Sequence, residues 1–438
     1  MGRMGSEIVP DLKLPFPPGF RWGAATSSHQ VEGDNHGNDW WDWELAHPTR
    51  IRGGEVSGSA CGGWRGQAEH DLRLAASLGH NAHRASLEWS RIEPDPGRFS
   101  TRAIDRYREI LGAGKDAGLA MYVTLNHFTL PRWVSVRGGW TDRGLPDRFA
   151  GYAEHVARCL GDLVEGFLTV NEPAVLAFKA HLQGMWPPGQ RDPRAAARSL
   201  GGQLRGHELA FERLKAVLPS VPVGIALNIP TVEPARPGHR GDHSAANLED
   251  WLVNGCLLRA LRTGRRWPPI GWARTTARPC PLDFIGLNYY GAYQVQLDFG
   301  RRPRFVQRPT IRTETADWGK PAPDAFYQVL RRLQSLEVPI LVSENGLFDA
   351  DDSLRPRYIV DHVEAMHRAI HDGAPVFGYL HWSLIDNFEW AQGWTTPFGL
   401  VSIDRVTQQR TPKKSAKLFE VIARNNALVG LHPTSASA

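Results

Sequence analysis

Eight short runs of β-forming residues recur along this 438-residue chain, and segments of helical periodicity alternate with them. The runs lie at residues 20–26, 81–87, 120–125, 166–171, 221–228, 282–288, 338–344 and 375–382. Between them, apolar residues return at helical spacing. Ala68, Leu72, Ala75 and Ala76 share a face before Gly79, and Ile104, Tyr107, Leu111 and Gly114 do so after a capping residue at Ser100 or Thr101. Phe149, Ala153, Val156 and Leu160 repeat the pattern, as do Leu248, Trp251, Leu252 and Leu257, then Phe326, Val329, Leu330 and Leu333, and then Ile359, Val363, Met366 and Ile370. A last helix is expected over residues 413–424, after Pro412. Strand and helix alternating eight times predict an α/β fold, a single-domain parallel (β/α)8 barrel of the TIM type. A doubly wound sheet is the runner-up, but it usually carries a phosphate loop after its first strand, and neither GxGxxG nor GxxxxGK[ST] occurs. The barrel is expected to span 16–425, with 1–15 as an N-terminal extension and 426–438 as a C-terminal tail rich in Ser and Ala.

Composition excludes several classes of function. The 51 basic and 46 acidic residues are interspersed, and basic spots such as Arg301-Arg302-Pro303-Arg304 are short, so no nucleic-acid partner is expected. No apolar stretch approaches the ~18 residues of a membrane span, and the start of the chain lacks a signal-peptide pattern. Cys61, Cys159, Cys256 and Cys280 are far apart and form no CxxC, which fits a reducing, cytoplasmic setting. Oligomeric state is left open. Sixteen Trp residues suit both core filling and stacking on a pyranose face.

A barrel of this kind works at the C-terminal ends of its strands. Those ends supply His29-Gln30, then Arg84, Asn126-His127, Asn171-Glu172, Asn288 with Tyr290, Glu344, and Trp382 followed by Asp386, Asn387, Glu389 and Trp390. Two glutamates each end a β-run, in Leu168-Thr169-Val170-Asn171-Glu172-Pro173 and Leu341-Val342-Ser343-Glu344-Asn345-Gly346. The set lacks the spaced His and Asp ligands of a metallohydrolase, and His80 with His83 has no third ligand, so no metal or other cofactor is expected. Amides, aromatics and one arginine around paired carboxylates are what a sugar requires. One carboxyl must give a proton while the other, ionised, attacks the anomeric carbon or activates water. Arg84 beside one glutamate is expected to lower its pKa.

At these residues the chain closely resembles glycoside hydrolase family 1, the β-glucosidase-like retaining glycosidases. The resemblance runs from about residue 16 to 424. It rests on Ser28-His29-Gln30-Val31-Glu32-Gly33, His83-Arg84-Ala85-Ser86, His127-Phe128, Thr169-Val170-Asn171-Glu172-Pro173, Asn288-Tyr289-Tyr290, Ser343-Glu344-Asn345-Gly346 and Asp386-Asn387-Phe388-Glu389-Trp390, in that order. It implies Glu172 as acid/base and Glu344 as nucleophile. Arg84, Tyr290 and Asn288 would support Glu344, and Asn171 would bond the sugar 2-hydroxyl. Gln30, His127, Glu389 and Trp390 would read the outer hydroxyls over a floor made by Trp382. Trp40, Trp41 and Trp43 would be packing or rim residues.

The implied reaction is hydrolysis of terminal β-glucosyl residues by double displacement, with β-galactosides and β-fucosides as further substrates and a carboxyl separation of roughly 5–5.5 Å. Glu389 as a carboxylate would repel a 6-phosphate, which disfavours a 6-phospho-β-glycosidase. The same residues would also serve a transglycosidase or a non-catalytic sugar-binding barrel. Three departures from the family pattern stand out: Phe128 where Trp is usual, the Pro- and Arg-rich residues 263–281, and Asp317-Trp318-Gly319-Lys320-Pro321. The latter two border the leaving-group entrance in the family.

Overall fold

The computed structural model describes residues 13–268, 270, 281–298, 305–308 and 318–429. Cys280, Arg301, Arg302, Arg304 and most of residues 263–281 lie outside the described residues.

Eight strands close into a parallel barrel in sequence order: β1 (Arg21–Ala25), β2 (Ala82–Ser86), β3 (Ala120–Asn126), β4 (Gly166–Asn171), β5 (Val223–Asn228), β6 (Phe284–Tyr289), β7 (Ile340–Asn345) and β8 (Val376–Trp382). All eight expected runs become barrel strands. Alternate residues face inward. Low in the barrel Ala82, Tyr122, Leu168, Ala226, Phe284, Leu341 and Leu380 form one buried cluster. Two to four residues further along the same strands the side chains become polar: Arg84, Thr124, Asn228, Asn288 and Glu344. The barrel is therefore a packed apolar plug carrying a polar layer at its C-terminal end. Gly286 makes the plug tight, because a Cβ there would lie 2.7 Å from Ser343 Oγ and 2.8 Å from a Leu168 methyl.

Around it run α1 (Gln67–Ser77), α2 (Thr101–Asp116), α3 (Leu145–Leu160), α4 (Pro193–Val217), α5 (Arg240–Asp250), α6 (Pro323–Leu333), α7 (Arg355–His371) and α8 (Lys414–Asn425). Ser100 caps α2 by accepting from the Ala103 N–H at 3.2 Å, one of the two capping residues expected. α4 is not among the helices expected from apolar spacing, yet it is 25 residues long. A π-turn over Trp251–Gly255 joins α5 to a further helix, Cys256–Thr263. Its wider turn shifts the phase of the apolar stripe. Leu257 is buried, but Leu248 and Leu252 face outward, 45 % and 41 % exposed, contrary to the single face expected of them.

Lys13–Pro15 pairs antiparallel with Ala427–Val429, on either side of the expected ends of the barrel domain. Asn426 Oδ1 accepts from Trp22 Nε1 at 2.8 Å, which joins this pairing to β1. Among the described residues no helix is long and apolar enough to cross a membrane.

Candidate active site

Arg84, buried within β2, organises the polar layer. Its guanidinium donates through Nε to Thr124 Oγ1 (2.8 Å), through Nη2 to Asn171 Oδ1 (2.7 Å) and through Nη1 to Glu344 Oε1, with which it forms a buried ion pair. Tyr290 OH donates to the other Glu344 oxygen at 2.5 Å. Glu172 has a different neighbour: Asn288 Nδ2 donates to its Oε1 at 2.7 Å and to Asn171 Oδ1 at 3.1 Å. Ser343 Oγ donates to Asn288 Oδ1 (2.7 Å), which fixes the way that amide points. The resemblance assigned Asn288 to the Glu344 side; it stands between the two carboxyls and makes its short bond to Glu172.

Both carboxyls are buried, and burial raises both pKa values. Glu172 is pushed up to about 8, by burial first and by the charge of Glu344 second, with only the Asn288 amide and the more distant Arg84 opposing. For Glu344 burial also outweighs its partners, so its pKa stands above the ordinary carboxyl value rather than below it. The expected effect of Arg84 is present but is exceeded by desolvation. The ion pair and the Tyr290 hydroxyl still make Glu344 the member of the pair that holds the negative charge.

Asn171 accepts from Arg84 and Asn288 through its oxygen, so its Nδ2 faces His127 Nε2 as donor, at 3.2 Å. That fixes the neutral His127 tautomer with its proton on Nδ1, a buried atom with no partner among the described residues. Burial holds His127 well below the usual histidine range. Across the mouth, Gln30 Nε2 donates to Asn387 Oδ1 (2.9 Å) and Glu389 Oε2 (3.1 Å). Burial and the Glu344 charge push Glu389 up to about 8. Its carboxyl is therefore largely protonated near neutrality, which weakens the expected repulsion of a phosphate; the Trp382 and Gln30 hydrogen bonds oppose that rise. His127 stacks between Trp382 (5.8 Å, 20°) and Trp390 (6.0 Å, 14°), and His29 stacks on Trp390 as well (5.6 Å, 10°). Trp40 supports Trp390 from behind at 4.8 Å.

Phe128, Glu172 and Trp390 adopt φ of +75°, +46° and +52°. Bulky side chains seldom occupy the left-handed region, and such strain gathers at functional sites. All three line one cavity of about 230 Å³, together with His127, Asn171, Tyr290, Glu344, Trp382 and Glu389. Phe128 packs on Trp186 (4.9 Å) and Trp390 (5.2 Å). The structure thus brings Arg84, His127, Asn171, Glu172, Asn288, Tyr290, Glu344, Trp382, Glu389 and Trp390 together, with Gln30 joined to the cavity wall through Glu389, whereas Asn126 donates to the Thr129 carbonyl and Asp386 pairs with Lys413, both away from the cavity. Sequence reasoning missed Thr124 and Ser343, which orient Arg84 and Asn288, as well as Trp186 and Asn228 in the cavity wall. A strand-end reading of β5 would have found Asn228. Among the described residues no group of three or more His, Cys, Asp or Glu side chains is placed to hold a metal. His83 is buried on β2, and His80 is buried just before it, edge-on against Phe419.

A family model for glycosyl hydrolase family 1 matches residues 12–270 and 275–428. The chain is 31 % identical to beta-glucosidase A of Thermotoga maritima, over 94 % of this chain and 98 % of the relative. It is also 31 % identical to the bifunctional beta-D-glucosidase/beta-D-fucosidase of Bifidobacterium breve, over 92 % and 97 %. Among solved structures, a beta-glycosidase from Pyrococcus horikoshii superposes with a TM-score of 0.87 at 36 % identity, covering 95 % of this chain and 96 % of that one.

Proposed function

The chain belongs to glycosyl hydrolase family 1 and is a retaining β-glycosidase; on that premise we propose that it releases terminal, unphosphorylated β-D-glucosyl residues, and β-galactosyl and β-fucosyl residues besides, with Glu344 as nucleophile and Glu172 as acid/base. The observation that carries the assignment is the unequal setting of the two carboxyls. Glu344 has Arg84 and Tyr290 to hold its charge, whereas Glu172 has an amide and a pKa of about 8 to hold its proton.

In the first displacement a Glu344 oxygen bonds to the anomeric carbon as the bond to the leaving oxygen breaks, and Glu172 gives that oxygen its proton. In the second, Glu172 takes a proton from water, the water oxygen bonds to the anomeric carbon, and the ester to Glu344 breaks. As the first ester forms, Glu344 loses its charge; this relieves the electrostatic pressure that keeps Glu172 protonated and readies it to act as a base. His127 Nδ1–H, Gln30 and Glu389 read the sugar hydroxyls, over Trp382. A carboxyl at Glu389, held by Gln30, suits the hydroxyls of a neutral sugar better than a 6-phosphate. Cys61 and Cys256, both buried and in no disulfide among the described residues, support a cytoplasmic setting.

The test is Glu344→Gly. Turnover of a nitrophenyl β-glucoside is expected to fall by about 10³-fold or more and to recover in part with added azide or formate. Undiminished hydrolysis by that variant without an added nucleophile overturns the assignment.

A further inference from the structure

His29 precedes Gln30 in the short helix Ser28–Val31 that follows β1, yet it lies behind the cavity wall and is 1 % exposed. Its ring meets three others. It is nearly parallel to Trp390 (5.6 Å, 10°), edge-on to Phe388 (6.0 Å, 74°) and tilted against Trp40 (6.2 Å, 43°). Phe388 and Trp390 flank Glu389 in the chain, so one imidazole packs on both neighbours of that carboxyl. Among the described residues the Trp390 indole N–H has no hydrogen-bond partner, and the backbone of Trp390 is strained, with φ of +52°. Packed rings therefore set the plane of this indole.

Hydrogen bonds fix the imidazole in turn. Asn38 caps the helix Asp39–Ala46 by accepting the Trp41 N–H on Oδ1 at 2.8 Å, which decides the way its amide points. Its Nδ2 then donates to His29 Nδ1 and to Glu88 Oε2, both at 3.1 Å. An accepting Nδ1 puts the His29 proton on Nε2. That atom faces Glu44 Oε2 at 3.9 Å, a separation too long for a hydrogen bond but short enough for the carboxyl to orient the N–H. Glu44 is held by Ser57, whose N–H and hydroxyl donate to its two oxygens at 3.1 and 2.5 Å. Glu88 Oε2 also accepts from Thr129 Oγ1 at 3.0 Å, just beyond His127 in the chain. One carboxyl thus anchors both imidazoles that stack on Trp390.

We propose that His29 is a positioning residue for Glu389 and Trp390: its imidazole, held by Asn38 and oriented by Glu44, supplies the plane against which the segment Phe388-Glu389-Trp390 is set for the outer hydroxyls of the sugar. This rests on the reading of Glu389 and Trp390 as the residues that meet those hydroxyls. The experiment measures kcat/KM for nitrophenyl β-glucoside and for its 4-deoxy and 6-deoxy counterparts in the wild type, His29→Phe, His29→Met and His29→Gln. The ratio of glucoside to deoxyglucoside reports the hydroxyl contacts. His29→Met fills a similar space without a plane, and its ratio is expected to fall about 2- to 10-fold, the range that one aromatic pair is worth. His29→Gln, polar but without a ring, is expected to fall likewise, and it decides the matter if the Met variant does not fold. His29→Phe restores a ring and is expected to recover most of the ratio. A role in folding alone lowers the melting temperature of the variants and leaves the ratio where it was, which overturns the proposal. Equal losses on all the substrates overturn it too, as does a ratio that falls as far in His29→Phe as in the variants without a ring. A wild type that does not prefer the glucoside to its deoxy counterparts overturns the reading of Glu389 and Trp390, and a wild type that cleaves none of them overturns the proposed function itself.

Discussion

Glu172 meets an amide where Glu344 meets a guanidinium and a phenol, and this difference has a consequence in pH. With its carboxyl pushed up to about 8, Glu172 keeps its proton through neutrality and loses it on the alkaline side. Activity that depends on a proton given to the leaving oxygen is therefore expected to fall as pH rises through about 8. Glu389 rises to about 8 as well, so the limb has two candidate owners. Glu172→Gln separates them. On a dinitrophenyl glucoside, whose leaving group needs no proton, that variant is expected to keep its glycosylation step. On a phenyl glucoside, whose leaving group needs the proton, Glu389→Gln is expected to keep the wild-type alkaline limb and Glu172→Gln to lose it; a limb lost in Glu389→Gln, or surviving in Glu172→Gln, moves the proton elsewhere. The carboxyls, Arg84 and the aromatics are legible in the sequence because each is an unusual residue type at the end of a β-run, a purely local signal. The net pKa of Glu344 is not, since the burial that outweighs Arg84 belongs to the closed barrel and not to any neighbour in the chain. Thr124 and Ser343 escape notice for a related reason: small hydroxyl residues within a β-run look like packing until the barrel aims them at Arg84 and Asn288.

β-Runs are short and self-announcing, which is why all eight barrel strands are legible in the sequence within two residues or so. α4 is not, and its glycines explain the omission. Gly201, Gly202 and Gly206 interrupt a stretch that otherwise favours a helix, and each costs a helix about 1 kcal/mol relative to Ala. In the folded molecule they let α4 approach the segment around Trp140: a Cβ on Gly202 would lie 2.3 Å from the Trp140 carbonyl oxygen, and one on Gly206 would lie 2.7 Å from its indole. Tertiary contact thus reverses the local preference. Gly202→Ala is expected to destabilise the protein by ~1–3 kcal/mol, because overpacking against a backbone atom exceeds the gain in helix propensity. Gly112 on α2 has no atom within 4 Å of such a Cβ, so Gly112→Ala is expected to leave stability level or raise it by up to ~1 kcal/mol. Denaturant unfolding of the two variants measures the contrast, and equal effects at the two positions contradict this account of α4. The outward Leu248 and Leu252 have a similar origin, since a π-turn changes the helical phase without leaving a mark in the hydrophobic pattern.

The barrel buries two sets of titrating groups whose effects on stability oppose each other. Burial holds His80, His207 and His362 down to about 4, His83 to about 3, and His127 and His381 well below the usual range. A histidine with a depressed folded pKa contributes stability above its unfolded value near 6.5, and the contribution is lost as pH falls from there toward the folded pKa. Glu32 is raised to about 7, Asp39, Glu172 and Glu389 to about 8, and Glu344, Asp71, Glu93 and Asp386 stand above the ordinary carboxyl value, all by burial first. For these the folded state binds the extra proton, so their contribution is full below about 4.5 and is lost as pH rises to the folded pKa. Between pH 4.5 and 6.5 the two sets act against each other. Above 6.5 only the carboxyls still change, and below 4.5 the histidines act together with surface carboxylates such as Glu69 and Asp162, held low by Arg106 and Arg108. The unfolding free energy is therefore expected to be nearly level from pH 4.5 to 6.5 and to fall on both sides, by up to about 1.4 kcal/mol per pH unit for each uncompensated proton. Denaturant titrations at pH 4, 5.5, 6.5 and 8 read this directly. Glu389→Gln is expected to flatten the alkaline side by about one proton, and His80→Phe, at a site already packed against Phe419, to remove about one proton's worth of the histidine contribution between pH 4 and 6.5. Stability that rises from pH 6.5 to 8 would mean that the mouth of the barrel does not hold its carboxyls protonated. The proposed acid would then lack the proton it has to give, so the stability curve tests the catalytic assignment without any substrate present.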